Sequence, residues 1–258
     1  MLRLGLAMAM ALLAAGAWAQ ADRVSSGAIQ SEAWQLVQLA NQARAQAGAG
    51  PLKWDAALAA AARRHCLRMA TEGALSHQYT GEPELGARAQ AAGAHFSLIE
   101  ENVAVAANPA AIHDAWMHSP HHRENLLNPD VNRVGIAVVA GPLGLYAVAD
   151  YERAVALLSQ TQVEAIVARL VQAGGLAILN NPTLARTACA TDSGMPRAAS
   201  GPQPRFVMRW QDAELTQLPQ ALLERMATGK YHQAAVGNCA TEGQEGSFTA
   251  YRLAVLLF

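Results

Sequence analysis

Four stretches in the first half of the chain carry apolar residues at three- and four-residue steps, which is the spacing of one face of a helix. Each stretch opens at a residue that commonly caps or begins a helix, namely Ser, Asp, Pro or Asn. Glycines end the first three stretches, and Pro120 forbids continuation of the fourth. The predicted helices span residues 31–48, 55–73, 83–93 and 108–118.

Extended runs separate these helices. Residues 101–107 alternate in part, and residues 134–139 are apolar and β-branched. Residues 145–150 follow a Gly-Pro-Leu-Gly turn, so the last two runs predict a hairpin. Helices interleaved with a few mostly antiparallel strands predict an α/β (α+β) fold, with helices on both faces of a sheet.

The pattern changes after Tyr151, and no internal repeat is visible in the sequence. We therefore predict one domain at 31–155 and a smaller α+β domain at 156–258. The wholly apolar end of the chain predicts a strand buried in a sheet. In this second domain, helical patterns cover 161–173 and 215–229, strand-like patterns cover 205–210, 231–239 and 248–258, and a loop covers 191–204.

The first nineteen residues have the pattern of an export signal. Arg3 precedes an apolar run over 4–16, and Ala17-Trp18-Ala19 is a small-residue cleavage site. The run is shorter than the ~20 residues that span a bilayer, which argues against an anchor helix. The prediction is a signal peptide at 1–19 cleaved after Ala19, a linker at 20–30, and a secreted or periplasmic protein that is not an integral membrane protein.

Charge and cysteine content narrow the class further. The net charge of −1 over 258 residues gives no reason to expect a nucleic-acid partner. Three cysteines are present, and disulfides persist outside the cytoplasm. Cys66 lies in a helical pattern and is expected to be a free, buried thiol. Cys189 and Cys239 lie in Gly- and Thr-containing segments and are expected to form a disulfide.

Histidines mark the candidate chemistry. The chain has eight, and three of them fall in "HSPHHRENLLNP", residues 118–129. Imidazoles gathered around one loop either bind metal or transfer protons, or they lie on a solvated turn and have no chemical role. No local spacing typical of a metal site supports the first interpretation.

Several motifs together resemble the CAP superfamily, the cysteine-rich secretory, antigen 5 and pathogenesis-related-1 proteins. They are "LVQLANQARAQAGAGPLKWDAALAAAARRHCLRMA", "LSHQ", "EENVA" and "AWMHSPHHRENLLNPDVNRVGIAVV", in this order, over about residues 31–151. The bacterial extracytoplasmic form, the SCP domain, is the most similar. The resemblance implies a three-layer α-β-α sandwich with a cleft. In several members, histidines and glutamates in that cleft hold a divalent metal.

Position by position, the resemblance assigns metal binding to His77, Glu101 and His122. Two imidazoles and a carboxylate suit Zn²⁺, which keeps a fourth position for water. Glu101 can equally act as a carboxylate that orients a ligand, or as a general base on bound water.

Further motif positions are Asn102, Arg123 and Asn125. For Arg123 and Asn125 we favour a structural role, since polar side chains after Pro120 can satisfy carbonyls freed at the end of a helix.

This sequence departs from the family pattern at three positions. Glu100 and His121 replace glycines, so if the second glycine needs a positive φ, either His121 is strained or the turn has shifted. Ser119 stands where eukaryotic members have a second glutamate, which leaves a four-residue site incomplete. His121 and Ser119 are candidates for lining the cleft, and the alternative is that His121 only decorates the turn.

The remaining histidines have simpler interpretations. His113 and His118, near the end of a helix, are expected to be solvated or to cap it. His65 is expected to lie in the core or at its rim.

Three functions compete. The first is an exported binding protein whose cleft holds a metal and, as a further ligand, a lipid or a peptide. The second is a metal-dependent extracytoplasmic peptidase or esterase with Glu101 as base. The third is an adhesive or interaction module that acts through the C-terminal domain. The resemblance favours binding without turnover, because enzymatic activity is not a trait of the family.

Overall fold

The computed structural model describes residues 31–239 and 248–258, which divide into two compact units. Of the described residues, unit 1 contains 31–94 and Leu98–Ala154, and unit 2 contains His95–Ser97 and Val155–Phe258. The predicted signal peptide at 1–19, its cleavage site and the linker at 20–30 lie outside the described residues.

Unit 1 alternates helices and strands. Its elements are α1 (31–46), β1 (Lys53–Trp54), α2 (Ala56–Glu72), α3 (Leu85–Ala91), β2 (Phe96–Ala106, in this unit from Leu98), α4 (Pro109–His118), α5 (Pro120–Leu127), β3 (Arg133–Gly141) and β4 (Gly144–Ala154). The four strands form one sheet in the order β1-β3-β4-β2. Strand β1 runs parallel to β3, and β3 and β4 form the predicted antiparallel hairpin.

Side chains of β3 point alternately to the two faces of the sheet, and each set packs against helices. Val134, Ile136 and Val138 pack in one core cluster with residues of α1, α4 and α5. Ala137 belongs to a second cluster with Ala62, Cys66 and Met69 of α2. The predicted α-β-α arrangement of three layers is therefore confirmed.

Helix α2 lies unusually close to the sheet. Its N-cap Asp55 follows β1 directly and accepts hydrogen bonds from the amides of Ala57 and Leu58, at 2.8 and 3.1 Å. Gly135 of β3 lies beneath this first turn, where a Cβ atom would fall 2.0 Å from the backbone nitrogen of Ala59. Only glycine permits such an approach, which fixes where α2 begins over the sheet.

One prediction about the histidine-rich segment is wrong. Residues 118–129 do not form a loop, because Pro120 ends α4 and also opens α5 as its first helical residue. His121 therefore has a helical backbone, and no non-glycine residue in the described ranges has a positive φ. Of the two alternatives for His121, strain or a shifted turn, the structure therefore rules out strain. Strand β2 also begins at Phe96, five residues before the predicted start.

Unit 2 contains a second sheet. Its elements are α6 (Gln160–Ala173), β5 (Ala177–Ile178), α7 (Pro182–Cys189), β6 (Phe206–Asp212), α8 (Gln220–Ala227), β7 (Gln233–Cys239) and β8 (Tyr251–Leu257). The strand order is β5-β7-β8-β6, so the apolar β8 lies between two neighbours as expected for a buried strand. Helix α7 and the two-residue strands β1 and β5 have no counterpart in the predicted elements.

The cysteines behave as predicted. Cys189 and Cys239 form a disulfide with a Cα–Cα distance of 5.8 Å, and Cys66 is a free, buried thiol. No helix within 31–239 and 248–258 is long and apolar enough to cross a membrane.

Candidate metal-binding cleft

Three elements of unit 1 bring His77, Glu101 and His122 together. His77 lies in the loop between α2 and α3, Glu101 lies on β2, and His122 lies on α5. The ring centres of the two histidines are 6.4 Å apart. The residues assigned by resemblance to one site are therefore neighbours, although no local sequence spacing links them.

Glu101 orients His77. Nδ1 of His77 lies 2.8 Å from Oε1 of Glu101, whose side chain is only 3% exposed, whereas that of His77 is 59% exposed. Because a carboxylate accepts hydrogen bonds only, neutral His77 donates its Nδ1–H and keeps the lone pair on Nε2. The hydrogen bond to Glu101 also raises the pKa of His77 above its ordinary value.

Glu101 pairs with Arg88 and lies beside a second carboxyl group, that of Asp150. Nη2 of Arg88, on α3, donates to Oε2 of Glu101 at 2.5 Å in a buried ion pair. Asp150 of β4 is wholly buried next to Glu101, and no donor among the described side chains reaches either of its oxygens. Burial, reinforced by the charge of Glu101, raises the pKa of Asp150 well above its ordinary value. The acid form of Asp150 is therefore favoured and can share its proton with Glu101.

Two asparagines attach the helix of His122 to β2. Nδ2 of Asn102 donates to the carbonyl of His122 at 2.7 Å. Nδ2 of Asn125 lies 3.0 Å from Oδ1 of Asn102 and 3.2 Å from the carbonyl oxygen of Glu101. These contacts fix the backbone of α5 against the strand that carries Glu101. Burial, together with the charges of His77 and His121, lowers the pKa of His122.

The loop that carries His77 is pinned by its backbone. Nε2 of the fully buried His65 donates to the carbonyl of Ser76 at 2.8 Å, and Nδ1 of the same ring lies 2.8 Å from Oε1 of Glu82. Nη1 of Arg88 donates to the carbonyls of His77 and Pro83. His65 is thus a core histidine whose two nitrogens both serve this loop.

The other candidates lie away from this group. The side chain of His121 is 94% exposed, with Nδ1 3.5 Å from a carboxylate oxygen of Glu124. Ser119 is the half-buried N-cap of α5, and Arg123 is exposed. His118 is exposed as expected. Nε2 of His113, in contrast, is buried and has no hydrogen-bond partner among the described residues, so this nitrogen is not solvated as expected.

The imidazoles of His77 and His122 are a pair of donors that a small transition-metal ion accepts. Two imidazoles on one tetrahedral ion, with nitrogen–metal distances of ~2.0–2.1 Å, have ring centres about 5 Å apart. The observed separation between the ring centres is 6.4 Å, so the two rings would have to move closer to share one ion. Over the ranges that the structure describes, no three His, Cys, Asp or Glu side chains converge in a geometry suited to a metal.

Two residues of the cleft are not among the sequence-based candidates. Arg88 lies in "LGARAQA", where an arginine is typical of a solvated helix face, so nothing marked it. Asp150 did carry a signal. It follows Tyr146 and Val148 at two-residue steps on the inward face of β4, and a carboxyl group in that position requires a partner.

A comparison with known families assigns a class to unit 1. Residues 37–151 match the model of the CAP family, the cysteine-rich secretory protein family. Unit 1 is a CAP domain.

Two relatives each match less than half of this chain. An uncharacterised Bacillus subtilis protein, YkwD, is 31% identical over 108 residues, which are 40% of this chain and 41% of the relative. The uncharacterised membrane protein YlbC of the same organism is 28% identical over 128 residues, or 45% and 37% of the two chains. The chain thus covers less than half of the length of these relatives.

Solved structures align over a similar share. An extracellular SCP-domain protein from Bacillus anthracis has 27% identity and a TM-score of 0.44, covering 48% of this chain and 41% of its own. An outer surface protein of Borrelia burgdorferi has 18% identity and a TM-score of 0.45, covering 48% and 93%.

Proposed function

We propose that this exported CAP-domain protein binds a divalent metal ion through His77 and His122, and that the preferred ion is Zn²⁺. Glu101 orients His77 and does not itself need to be a ligand. The observation that carries the proposal is the hydrogen bond from Nδ1 of His77 to Glu101, which leaves the lone pair of Nε2 available, with the ring centres of His77 and His122 6.4 Å apart.

The supporting argument is chemical. Metal-binding histidines commonly donate their second ring N–H to a carboxylate, which fixes the tautomer and makes the other nitrogen a better donor. Arg88 holds Glu101 in place, so the tautomer of His77 is set before any ligand arrives. Zn²⁺ accepts imidazole nitrogen and leaves further positions for water or for a group of a lipid or peptide ligand.

We infer binding without turnover. A general base needs an oxygen that can take a proton from bound water. Both oxygens of Glu101 already interact with cationic or N–H groups, Oε1 with His77 and Oε2 with Arg88. This arrangement suits a positioning carboxylate better than the base of a peptidase or esterase.

Export is part of the proposal. The apolar run and the Ala17-Trp18-Ala19 site argue for cleavage after Ala19 and for work in the periplasm or outside the cell. The disulfide of unit 2 is consistent with an oxidising compartment.

Calorimetric titration of the purified protein with zinc tests the site. We expect His77→Ala and His122→Ala each to lower affinity by roughly 100-fold or more, since each removes one of two protein donors. Glu101→Gln should lower affinity by about 10- to 100-fold, the usual effect of losing a carboxylate that orients a metal-binding histidine.

His121→Ala is the matched control, because His121 neighbours His122 on the same helix but is almost fully exposed. It should bind zinc as the parent does. A double variant His77→Ala/His122→Ala that keeps the parent affinity would rule out this site.

The pH dependence of zinc binding gives an independent check. Because the pKa of His77 is raised, protons compete with metal already above pH 6.5, and because the pKa of His122 is lowered, its competition begins at lower pH. Affinity should fall about tenfold per pH unit once His77 is protonated, and more steeply when His122 follows. In Glu101→Gln the first decline should begin at lower pH, because the hydrogen bond that raises the His77 pKa is gone. An unchanged onset would contradict the assigned role of Glu101.

A further inference from the structure

Unit 2 repeats the order of elements of unit 1. Apart from the short helices α3 and α5, unit 1 reads helix, strand, helix, strand, helix, strand, strand, and unit 2 reads the same. The sheets also agree. Each has its first strand parallel to its third, its third antiparallel to its fourth, and its second beside its fourth.

The hydrogen bonds between the first and third strands agree residue by residue. In unit 1, the amide of Lys53 donates to the carbonyl of Asn132, and that of Asp55 to Val134. In unit 2, the amide of Ala177 donates to His232, and that of Leu179 to Ala234. The same two bonds therefore set the register of β1 on β3 and of β5 on β7.

A glycine beneath the second helix recurs as well. In β7, a Cβ atom on Gly237 would lie 2.3 Å from the backbone of α7, as one on Gly135 would collide with α2. Counted from the shared register, Gly237 lies two residues further along its strand than Gly135. The N-cap Asn181 of α7 likewise comes two residues later than Asp55 of α2. Helix and glycine have moved together, as close packing requires.

The most specific agreement involves the cysteines. In unit 1, Val139 pairs with Tyr146, and the thiol of Cys66 on α2 donates to the Tyr146 carbonyl at 3.2 Å. In unit 2, Cys239 pairs with Arg252, and Sγ of Cys189 on α7 lies 3.2 Å from the Arg252 carbonyl oxygen. Cys189 therefore occupies the place of Cys66, and Cys239 occupies the place of Val139.

The same register shows which residues of unit 2 correspond to the polar residues of the unit 1 site. Asp150 pairs with Gly135, and its counterpart, paired with Ala235, is Leu256. His65 precedes Cys66, and Ala188 precedes Cys189. Where Asp150 lies beside Glu101, Leu256 lies opposite Val207 of β6. Apolar residues thus fill the positions of the buried acid and of the core histidine.

We propose that unit 2 is a second copy of the CAP fold within this chain, in which an apolar core and a disulfide replace the polar site. Its role is then binding or structural, without the histidine–carboxylate chemistry of unit 1. This inference is independent of whether unit 1 binds metal, because it depends only on register and core packing.

An engineered disulfide tests the equivalence. Val139→Cys places a second cysteine in unit 1 where unit 2 has Cys239. If the two positions correspond, Cys66 and the introduced cysteine should form a disulfide in the full chain under mild oxidation. Intact mass and thiol counting should show no free thiol, against one in the parent.

Two further variants make the test specific. Val138→Cys, on the opposite face of β3, should leave two free thiols. Val148→Cys lies on the face of α2 but corresponds to Ala254 of unit 2, so it should cross-link less completely than Val139→Cys. A folded Val139→Cys protein with two free thiols would overturn the proposal, and so would equal cross-linking by the Val148→Cys protein.

The reciprocal variant, Cys239→Val, provides a second test if the Val139→Cys protein does not fold. Cys239→Val rebuilds in unit 2 the arrangement of unit 1, a single cysteine on the helix above a valine. Cys189 should then resist a thiol reagent in the native protein and react in denaturant, as Cys66 should in the parent. A Cys189 that reacts in the native chain as fast as in denaturant would overturn the proposed correspondence.

Discussion

Replacing Arg44 by methionine is expected to lower the free energy of unfolding by about 4 kcal/mol, because it leaves several buried carbonyl groups without a donor. Arg44 of α1 is fully buried, and it donates to four backbone carbonyls at 2.7–3.1 Å. The acceptors are Gly50, Leu126, Asn128 and Val131.

These carbonyls lie in the connection that follows α1 and in the segment that ends α5 and leads into β3. Arg44 therefore ties the first helix to the end of the helix that carries His122. Methionine preserves much of the buried volume but has no N–H group. Urea unfolding followed by tryptophan fluorescence measures the loss, since Trp34, Trp54 and Trp116 all lie in unit 1.

The matched control is Arg63→Met on α2, where the arginine is exposed. This change should alter the free energy of unfolding by less than about 0.5 kcal/mol. If Arg44→Met proves as mild as Arg63→Met, the buried hydrogen bonds do not stabilise the fold as argued.

Arg88→Met is expected to lower the free energy of unfolding by roughly 3–5 kcal/mol, the usual effect of removing one partner from a buried ion pair. The change leaves the carboxylate of Glu101 without its cation and frees the carbonyls of His77 and Pro83. Because both effects reach His77, zinc affinity should fall together with stability. Differential scanning calorimetry of the metal-free protein and zinc titration separate the two losses.

Arg68→Met is the control for this second change. Arg68 is partly exposed, pairs with Glu72 and donates to the carbonyl of Thr80 in the same loop. Surface pairs of this kind contribute about 0–1 kcal/mol, so stability and zinc affinity should both remain near the parent values. Parent-like zinc binding by a folded Arg88→Met protein would show that Arg88 does not position the cleft.

Apolar periodicity together with helix-end residues predicted the long helices of unit 1. The helices around residues 55–73 and 108–118 have caps that the structure confirms at Asp55 and Asn108. Short elements escaped, because two-residue strands such as β1 have no periodicity of their own. Helix α5 escaped for another reason: a proline that ends one helix is also well suited to begin the next.

The site was reached differently. His77, Glu101 and His122 come from three separate elements, so only the motif resemblance placed them together. Their supports, Arg88 and Asp150, depend on tertiary contacts that single-residue patterns do not encode. The sequence did not predict the correspondence between the two units. The units share a hydrogen-bond register and core positions, but the side chains at those positions differ.

The buried thiol of Cys66 also bears on how the chain acquires its covalent structure. Burial raises the pKa of Cys66 to about 12, so at pH 8 only ~10⁻⁴ of it is thiolate, the form that attacks disulfides. Once unit 1 has folded, an oxidant therefore finds two competent cysteines instead of three. Three cysteines allow three pairings, and burial of Cys66 in the folded CAP domain disfavours the two that involve it, which leaves Cys189–Cys239 as the favoured pairing.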